Sequence, residues 1–390
     1  MSLGQEAAEL DARDPLASKR AEFDLDPQVA YLDGNSLGAP PRSVARRLEE
    51  VVREQWARRL IRSWDEGWWD APERIGDRIA PLVGSAPGQV VVGDSTSVNL
   101  FKLLVAATRL NPGRQEILVD GTTFPTDGYV ADSAARLTGH VVRRVAPGEM
   151  PGAVSERTAF ALVNHVDYRT GELHDLTGIT EALHAAGALA VWDLCHSVGA
   201  VPVELDAAGV DLAVGCTYKF LNGGPGAPAF SYVPARWQEA FDQPLTGWAG
   251  HADPFAMDEG YAGRAGISRA RAGTPDILSM LALDAALDVW GDVTVGQVRA
   301  KALALGEFFL RCLDELVPGV EVLTPRAPAR RGNQVSVRWP GAREALAMLT
   351  AQDVICDFRQ PEVLRFGLAA LYTRYGDVLR AARVLSGWPG

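Results

Sequence analysis

No apolar stretch in these 390 residues reaches the length of a membrane span, which needs about 20 apolar residues in a row. The first segment, MSLGQEAAELDARDPLASKRAEFDLD, lacks both the apolar core of a secretory signal and the acid-poor character of a transit peptide, so a cytoplasmic location is expected. Cysteine is scarce. The four residues Cys195, Cys216, Cys312 and Cys356 lie far apart with no CxxC pair, which excludes a zinc ribbon and a disulfide framework and predicts reduced, buried thiols and no metal. Basic charge is in deficit, with 38 Lys and Arg against 49 Asp and Glu for a net charge of −11. With no Lys/Arg-rich run to attract a phosphate backbone or an anionic membrane, neither nucleic acid nor membrane is an expected partner. Internal repeats and low-complexity segments are also missing.

What is present is a chain with 47% hydrophobic and 22% charged residues, enough to bury a large core in two or three domains. Short runs rich in Val, Ala and Leu recur: EILVD (116–120), FALVNHV (160–166), ALAVWD (188–193), VDLAVGC (210–216) and AFSYV (229–233). They read as strands buried on both faces. Between them lie stretches of helical spacing such as LTGITEALHAAG (176–187), ended by Gly187. Alternation of this kind predicts a mostly parallel α/β sheet. Residues 43–63 predict one amphipathic helix with Val44, Leu48, Val51, Val52 and Leu60 on its apolar face, and about 276–290 a second that leads out of the sheet domain. Beyond it, helices around 296–316 and 342–351 alternate with NQVSVRW, VICDFR and VLRFG, the texture of a smaller α+β domain. The expected division is an N-terminal arm and helix (1–60) that contribute to the small domain, a large domain (61–285) and a small C-terminal domain (286–390).

Open α/β sheets bind ligands at the carboxyl ends of their strands, so the polar residues after each apolar run draw attention. In WDLCHSVGA (192–200), Asp193 follows a strand and His196 comes three residues later. Alone, such an Asp reads as a helix cap and such a His as a structural residue. Lys219 ends the next run, flanked by Tyr218 and Phe220 and followed by the turn residues Gly223, Gly224, Pro225 and Gly226. A strand-end lysine is ordinarily solvated, but one in an apolar pocket can attack a carbonyl as the free amine. In GDSTSVNLFKLLVAAT (93–108), Ser95, Thr96 and Ser97 open a helix; they read either as simple caps or as a phosphate site. TTFPTDGY (122–129), after another strand, offers Phe124 as an aromatic platform and Asp127 as an acceptor.

None of these signals is specific alone. Together they meet the needs of pyridoxal 5'-phosphate: a lysine for the aldehyde, a carboxylate for the pyridine nitrogen, an aromatic over the ring and a helix N-terminus for the phosphate. Their order along the chain is that of fold type I enzymes, the aspartate aminotransferase superfamily. At finer grain the chain resembles the kynureninases along nearly its whole length, through YLDGNSLGAPP (31–41), IRSWDEGWWD (61–70), GDSTSVNLFKLL (93–104), FPTD (124–127), HVDYRTGELHD (165–175), WDLCHSVGAVPVEL (192–205), CTYKFLNGGPGAPAF (216–230), GWAGH (247–251) and LRFGLAALYTRYGDV (364–378).

That resemblance implies a large domain with a mostly parallel, seven-stranded-type sheet, a small α+β C-terminal domain, and a homodimer with active sites at the subunit interface. It implies that Lys219 holds the cofactor's aldehyde, that Asp193 faces the pyridine nitrogen with His196 beside it, that Phe124 stacks on the ring, and that Asp127 and Asn164 contact the cofactor. Thr96, Ser97 and Tyr218 would bind the phosphate, helped by Trp248 and Thr274 from the second subunit. Arg365 would clamp the α-carboxylate of the substrate, and Asn35, Ser36 and Trp64 would border its aromatic ring. Lys219, Tyr218 and Asp193 form the expected catalytic set, with Tyr218 as the acid that protonates the alanine side. The reaction implied is hydrolysis of L-kynurenine, and of 3-hydroxykynurenine as a second candidate, to anthranilate or 3-hydroxyanthranilate and L-alanine, in tryptophan breakdown and NAD synthesis. Two residues depart from the family pattern: Ala249, where the family often carries a bulkier residue, would widen the substrate ring pocket, and Thr274, where some members have asparagine, would change a cofactor hydrogen bond. Competing readings are a relative acting on a modified kynurenine, a class V aminotransferase or cysteine desulfurase, and a non-catalytic cofactor-binding scaffold.

Overall fold

Runs of valine, alanine and leucine with no polar alternation must be covered on both sides, and the strands they form are. The computed structural model describes residues 1–257 and 259–388. Its central sheet contains β1 (Val90–Val92), β2 (Glu116–Asp120), β3 (Val141–Val145), β4 (Thr158–Asn164), β5 (Leu189–Asp193), β6 (Leu212–Gly215) and β7 (Phe230–Tyr232), in the order β1-β7-β6-β5-β4-β2-β3. Neighbours from β6 through β3 are parallel, whereas β7 runs antiparallel to both β1 and β6. Side-chain alternation sends Leu118, Ala161, Val163, Ala190 and Trp192 into one core and Ile117, Val119, Phe160, Leu162 and Val191 into the other.

Beyond the helix Ile277–Ala286 and its extension Leu287–Trp290, the long helix Val295–Leu316 leads to a second sheet. Here β8 (Glu321–Val322), β9 (Gln334–Arg338), β10 (Asp357–Arg359) and β11 (Val363–Gly367) form an antiparallel sheet in the order β10-β11-β9-β8. Its core joins Phe308, Phe309, Val335, Val337, Phe366 and Leu379 with Ala7, Ala30 and Leu32 from the N-terminal arm. Ala30–Tyr31 pairs in parallel with Val354–Ile355, and the Gly367 amide donates to the Leu32 carbonyl at 2.7 Å.

The single helix expected over 43–63 is instead three segments: α-helical at Arg42–Glu50, π-helical at Val51–Arg59 and 3₁₀ at Leu60–Trp64. Leu60 takes φ +56°, a left-handed conformation that an unbroken helix cannot contain. The expected apolar stripe breaks with it: Val51 is buried, while Val52 and Leu60 are exposed beside Trp56 and Ile61.

Candidate active site

The carboxyl ends of β2, β4, β5 and β6 open onto one cavity, lined among others by Asn35, Ser36, Thr96, Ser97, Phe124 and Asp127. Asn164, Asp193, His196, Tyr218, Lys219 and Arg365 complete the set of expected residues on its wall. Thr96 and Ser97 start the helix Thr96–Leu110, whose N-cap Ser95 accepts from the Val98 amide, leaving first-turn amides and two hydroxyls at the cavity. Phe124 precedes the helix Pro125–Thr138 and meets Tyr168 edge-on at 5.2 Å with an interplanar angle of 85°. At 42% exposure its ring still offers surface for stacking.

Asp193 is the last residue of β5 and is buried; its Oδ1 accepts the Cys195 amide at 2.6 Å. Asp127, also buried, accepts from the Thr123 hydroxyl at 2.7 Å. Burial first, and then the charge of Asp193, pushes Asp127 well above the usual carboxylate range, so Asp127 keeps its proton. Lys219 Nζ lies 3.2 Å from His196 Nε2 and 5.7 Å from the centre of the Tyr218 ring. Burial, followed by the charge of Lys219, drives the His196 imidazole well below its ordinary pKa, so it is neutral and pairs with Lys219 as an acceptor. Burial likewise raises the Tyr218 phenol, which keeps its proton.

This donor set fits pyridoxal phosphate. A buried carboxylate asks for a cation such as a protonated pyridine nitrogen, a lysine lines the same cavity, and a helix N-terminus with two hydroxyls waits for an anion.

Arg365 lies on β11, and the register of the antiparallel pair sets it opposite Asp357 of β10. Its Nε donates to Asp357 Oδ1 at 2.7 Å, its Nη2 to Asp357 Oδ2 and to Ser36 Oγ at 3.0 Å, and its Nη1 to the Tyr168 carbonyl. The Ser36 hydroxyl also donates to Asp357. Asn35 is fully buried and donates to Gln334 at 3.2 Å.

Three expected residues lie away from this wall. Trp64 packs edge-on against Trp68 at 5.5 Å and Trp69 at 6.3 Å, and Trp69 meets Trp248 at 5.0 Å. Thr274 is exposed in a separate cleft with Arg271 and Lys102, and Ala249 is fully buried. Four cavity residues escaped the sequence reading: Thr126, Tyr168, Cys195 and Arg359. Arg359 stands two residues beyond Asp357 on the same strand, hence on the same face, a signal visible in VICDFR once it is read as a strand.

A family model described as the kynureninase C-terminal domain matches residues 298–385. The kynureninase of Deinococcus radiodurans is 52% identical over 381 residues, covering 95% of this chain and 93% of that one. That of Burkholderia pseudomallei is 46% identical over 395 residues, covering 99% and 95%. Among solved structures, the apo cysteine desulfurase of Thermococcus onnurineus superposes with a TM-score of 0.83 at 18% identity, covering 96% of this chain and 98% of that one. A C-DES mutant with glycine covalently linked to its PLP cofactor gives 0.83 at 17%, covering 95% and 99%. At such identity these two show the shared fold type. Identity near one half along almost the whole of both chains, on a cavity suited to pyridoxal phosphate, shows that the chain belongs to the kynureninase family of pyridoxal-phosphate-dependent hydrolases.

Proposed function

We infer that this chain hydrolyses L-kynurenine to anthranilate and L-alanine by cleaving the Cβ–Cγ bond. The observation that carries the reading is the convergence of Asp193, Lys219 and the Thr96 helix start on one cavity, in a chain so similar to kynureninases. Thr96, Ser97 and Tyr218 would hold the phosphate, Asp193 the pyridine nitrogen, Phe124 the ring face and Lys219 the aldehyde carbon; Asp127 and Asn164 would support them. When bound, pyridoxal phosphate supplies a sink for the electrons released at the α-carbon.

The chain's own groups do the proton work. The Lys219 amine, when it is not holding the cofactor, would be the base for the α-proton, and its neutral His196 neighbour would leave it unopposed by a second fixed charge. Tyr218, protonated throughout the neutral range, is the acid that returns a proton on the alanine side. Water adds to the γ-carbonyl, the Cβ–Cγ bond breaks, and the γ-carbon leaves as the carboxyl group of anthranilate while the β-carbon takes a proton to become the methyl group of alanine. Arg365 orients the α-carboxylate, and Asn35 and Ser36 border the substrate.

A homodimer completes this reading, with Trp248 and Thr274 reaching the partner's phosphate. The exposed side chains of Trp56, Leu60, Ile61, Trp248 and Phe255 support it. Because Trp64 joins Trp248 through Trp69, its substrate contact would also serve the partner's cavity. The cytoplasm, NAD synthesis and a division of the chain near residues 60 and 285 belong to the same proposal, the last supported by the separate core under the second sheet.

The test is incubation of the purified protein with L-kynurenine and with 3-hydroxykynurenine, with products identified by chromatography. Anthranilate or its 3-hydroxy form must appear with alanine; release of neither aromatic acid overturns the assignment, and the ratio of the two rates gives the ring preference.

A further inference from the structure

The expected carboxylate clamp has few donors to spare. Of the five N–H groups of a guanidinium, Arg365 commits four, two to Asp357, one to Ser36 and one to the Tyr168 carbonyl, and its side chain is 1% exposed. One donor remains, too few for the paired fork that binds a carboxylate by itself.

Arg359 is differently placed. It lines the same cavity with a side chain 36% exposed. Its Nη1 donates to the Phe358 carbonyl at 3.1 Å, its Nη2 stands 2.9 Å from Asp357 Oδ2, and its Nε has no acceptor among the described residues. The strand register explains the grouping. Asp357 and Arg359 project from one face of β10, and Arg365 is the cross-strand partner of Asp357, so one carboxylate holds two guanidinium groups side by side. Burial opposes the charge of Asp357, but the hydrogen bonds and charge of Arg365, the Ser36 hydroxyl and Arg359 outweigh it and keep this carboxylate ionised.

We propose that Arg359 is a substrate-binding residue that supplies the second arm of the α-carboxylate clamp, with Asp357 setting the angle between it and Arg365. A carboxylate lying between the two groups takes the remaining donor of Arg365 and the free donors of Arg359. The proposal rests on the amino-acid substrate assigned above. A purely structural Arg359 would serve only to neutralise Asp357, and its loss would act on every ligand alike.

The test titrates holoenzyme with L-alanine and with L-alaninamide, which differ in the carboxylate alone, following the absorbance of the bound cofactor. Wild-type protein binds L-alanine the more tightly. In R359Q the affinity for L-alanine falls about 10- to 100-fold, equivalent to about 1.4–2.8 kcal/mol, while that for L-alaninamide stays within about threefold, and KM for L-kynurenine rises with kcat little changed. If R359Q does not hold the cofactor, R359K carries the test, with a loss of about threefold to tenfold expected for L-alanine only. Unchanged L-alanine binding, an equal loss for both ligands, or no wild-type preference between them overturns the proposal. Wild-type protein that prefers L-alanine in this way yet forms no anthranilate from L-kynurenine overturns the assigned reaction and leaves the role of Arg359 standing.

Discussion

Lys219 and Tyr218 are adjacent in sequence, but the proposed function gives them different duties, and their variants separate those duties. Lys219→Ala removes both the covalent hold on the cofactor and the α-proton base, so the imine absorbance disappears and turnover falls by about 10⁴ or more. Tyr218→Phe retains the coloured cofactor and lowers kcat by about 10²–10³, the range of one general acid, as rapid-mixing spectroscopy and steady-state rates would show. A Tyr218 variant with unchanged kcat contradicts the acid role. Asp33 offers a test by pH. Burial, and then the charge of Asp357, pushes it up to about 6, against the partly compensating Ser36, Arg365 and Arg359. A carboxyl whose folded pKa is raised binds its proton more tightly folded than unfolded, so its contribution to stability is full below about pH 4 and is lost as pH rises through about 6. Asp33→Asn therefore gains on wild type by up to about 3 kcal/mol between those limits, read from denaturant unfolding at a series of pH values. A difference independent of pH contradicts the perturbed titration. The residue scale is also where the sequence was most legible. Asp193 ends one apolar strand and Lys219 follows another, and strand ends are where such folds place ligands. For Arg359 only the face it shares with Asp357 is legible in VICDFR; the cross-strand pairing of Asp357 with Arg365, which sets the two guanidinium groups side by side, is recorded by no local pattern.

Among the elements, the segment 31–41 ties the two halves of the cavity together. Asp33 forms a β-bridge with Gly367, the last residue of the Arg365 strand, and the Gly38 amide donates to the Tyr218 carbonyl at 2.8 Å, at the lysine loop. The fit at Gly38 leaves no space for a side chain: a Cβ there would stand 2.1 Å from the Lys219 carbonyl oxygen and 2.8 Å from the Asn222 Cα. Gly38→Ala must displace the lysine loop, because the obstacle is backbone rather than a flexible side chain. It is expected to lower kcat at least about tenfold even at temperatures where circular dichroism reports a folded protein, since a shift of about 1 Å at a reacting group costs rate out of proportion to stability. Activity equal to wild type would show that the loop accommodates the methyl group. The block 31–41 stood out in the sequence by family resemblance alone; its physical reason is this close approach of distant segments. Helix periodicity was a poorer guide at 43–63, because neither the π-helical turn spacing nor the left-handed Leu60 leaves a trace in the placement of apolar residues. Strands buried on both faces were easier to read, as continuous apolar runs, although the antiparallel direction of β7 was not, since direction depends on the connection rather than on composition.

At the scale of the whole molecule, the aromatic face around Trp69 and Trp248 argues for two chains. Light scattering should give twice 41.8 kDa. A sharper test mixes two inactive variants, Lys219→Ala and Trp248→Ala. Hybrid dimers then contain one site with both Lys219 and Trp248 intact, provided the tryptophan acts on the partner's cofactor, and activity returns after subunit exchange. No recovery in verified hybrids contradicts the contribution across the interface. On the proposed reading the parts of that site meet between copies, so the fold of one chain does not display it. Fold class and the small second sheet were legible from the change in texture after about residue 290, where Val295–Leu316 gives way to short antiparallel strands.

Everything above converges on hydrolysis of an amino-acid substrate at a carbon–carbon bond by a lysine-held cofactor. It is tested most directly by following one sample of holoenzyme with L-kynurenine, by anthranilate fluorescence and by quantitative L-alanine analysis together. Wild type is expected to form both products in equal amounts, and Lys219→Ala to form neither. Consumption of L-kynurenine without anthranilate, or anthranilate formed equally well by Lys219→Ala, would contradict it.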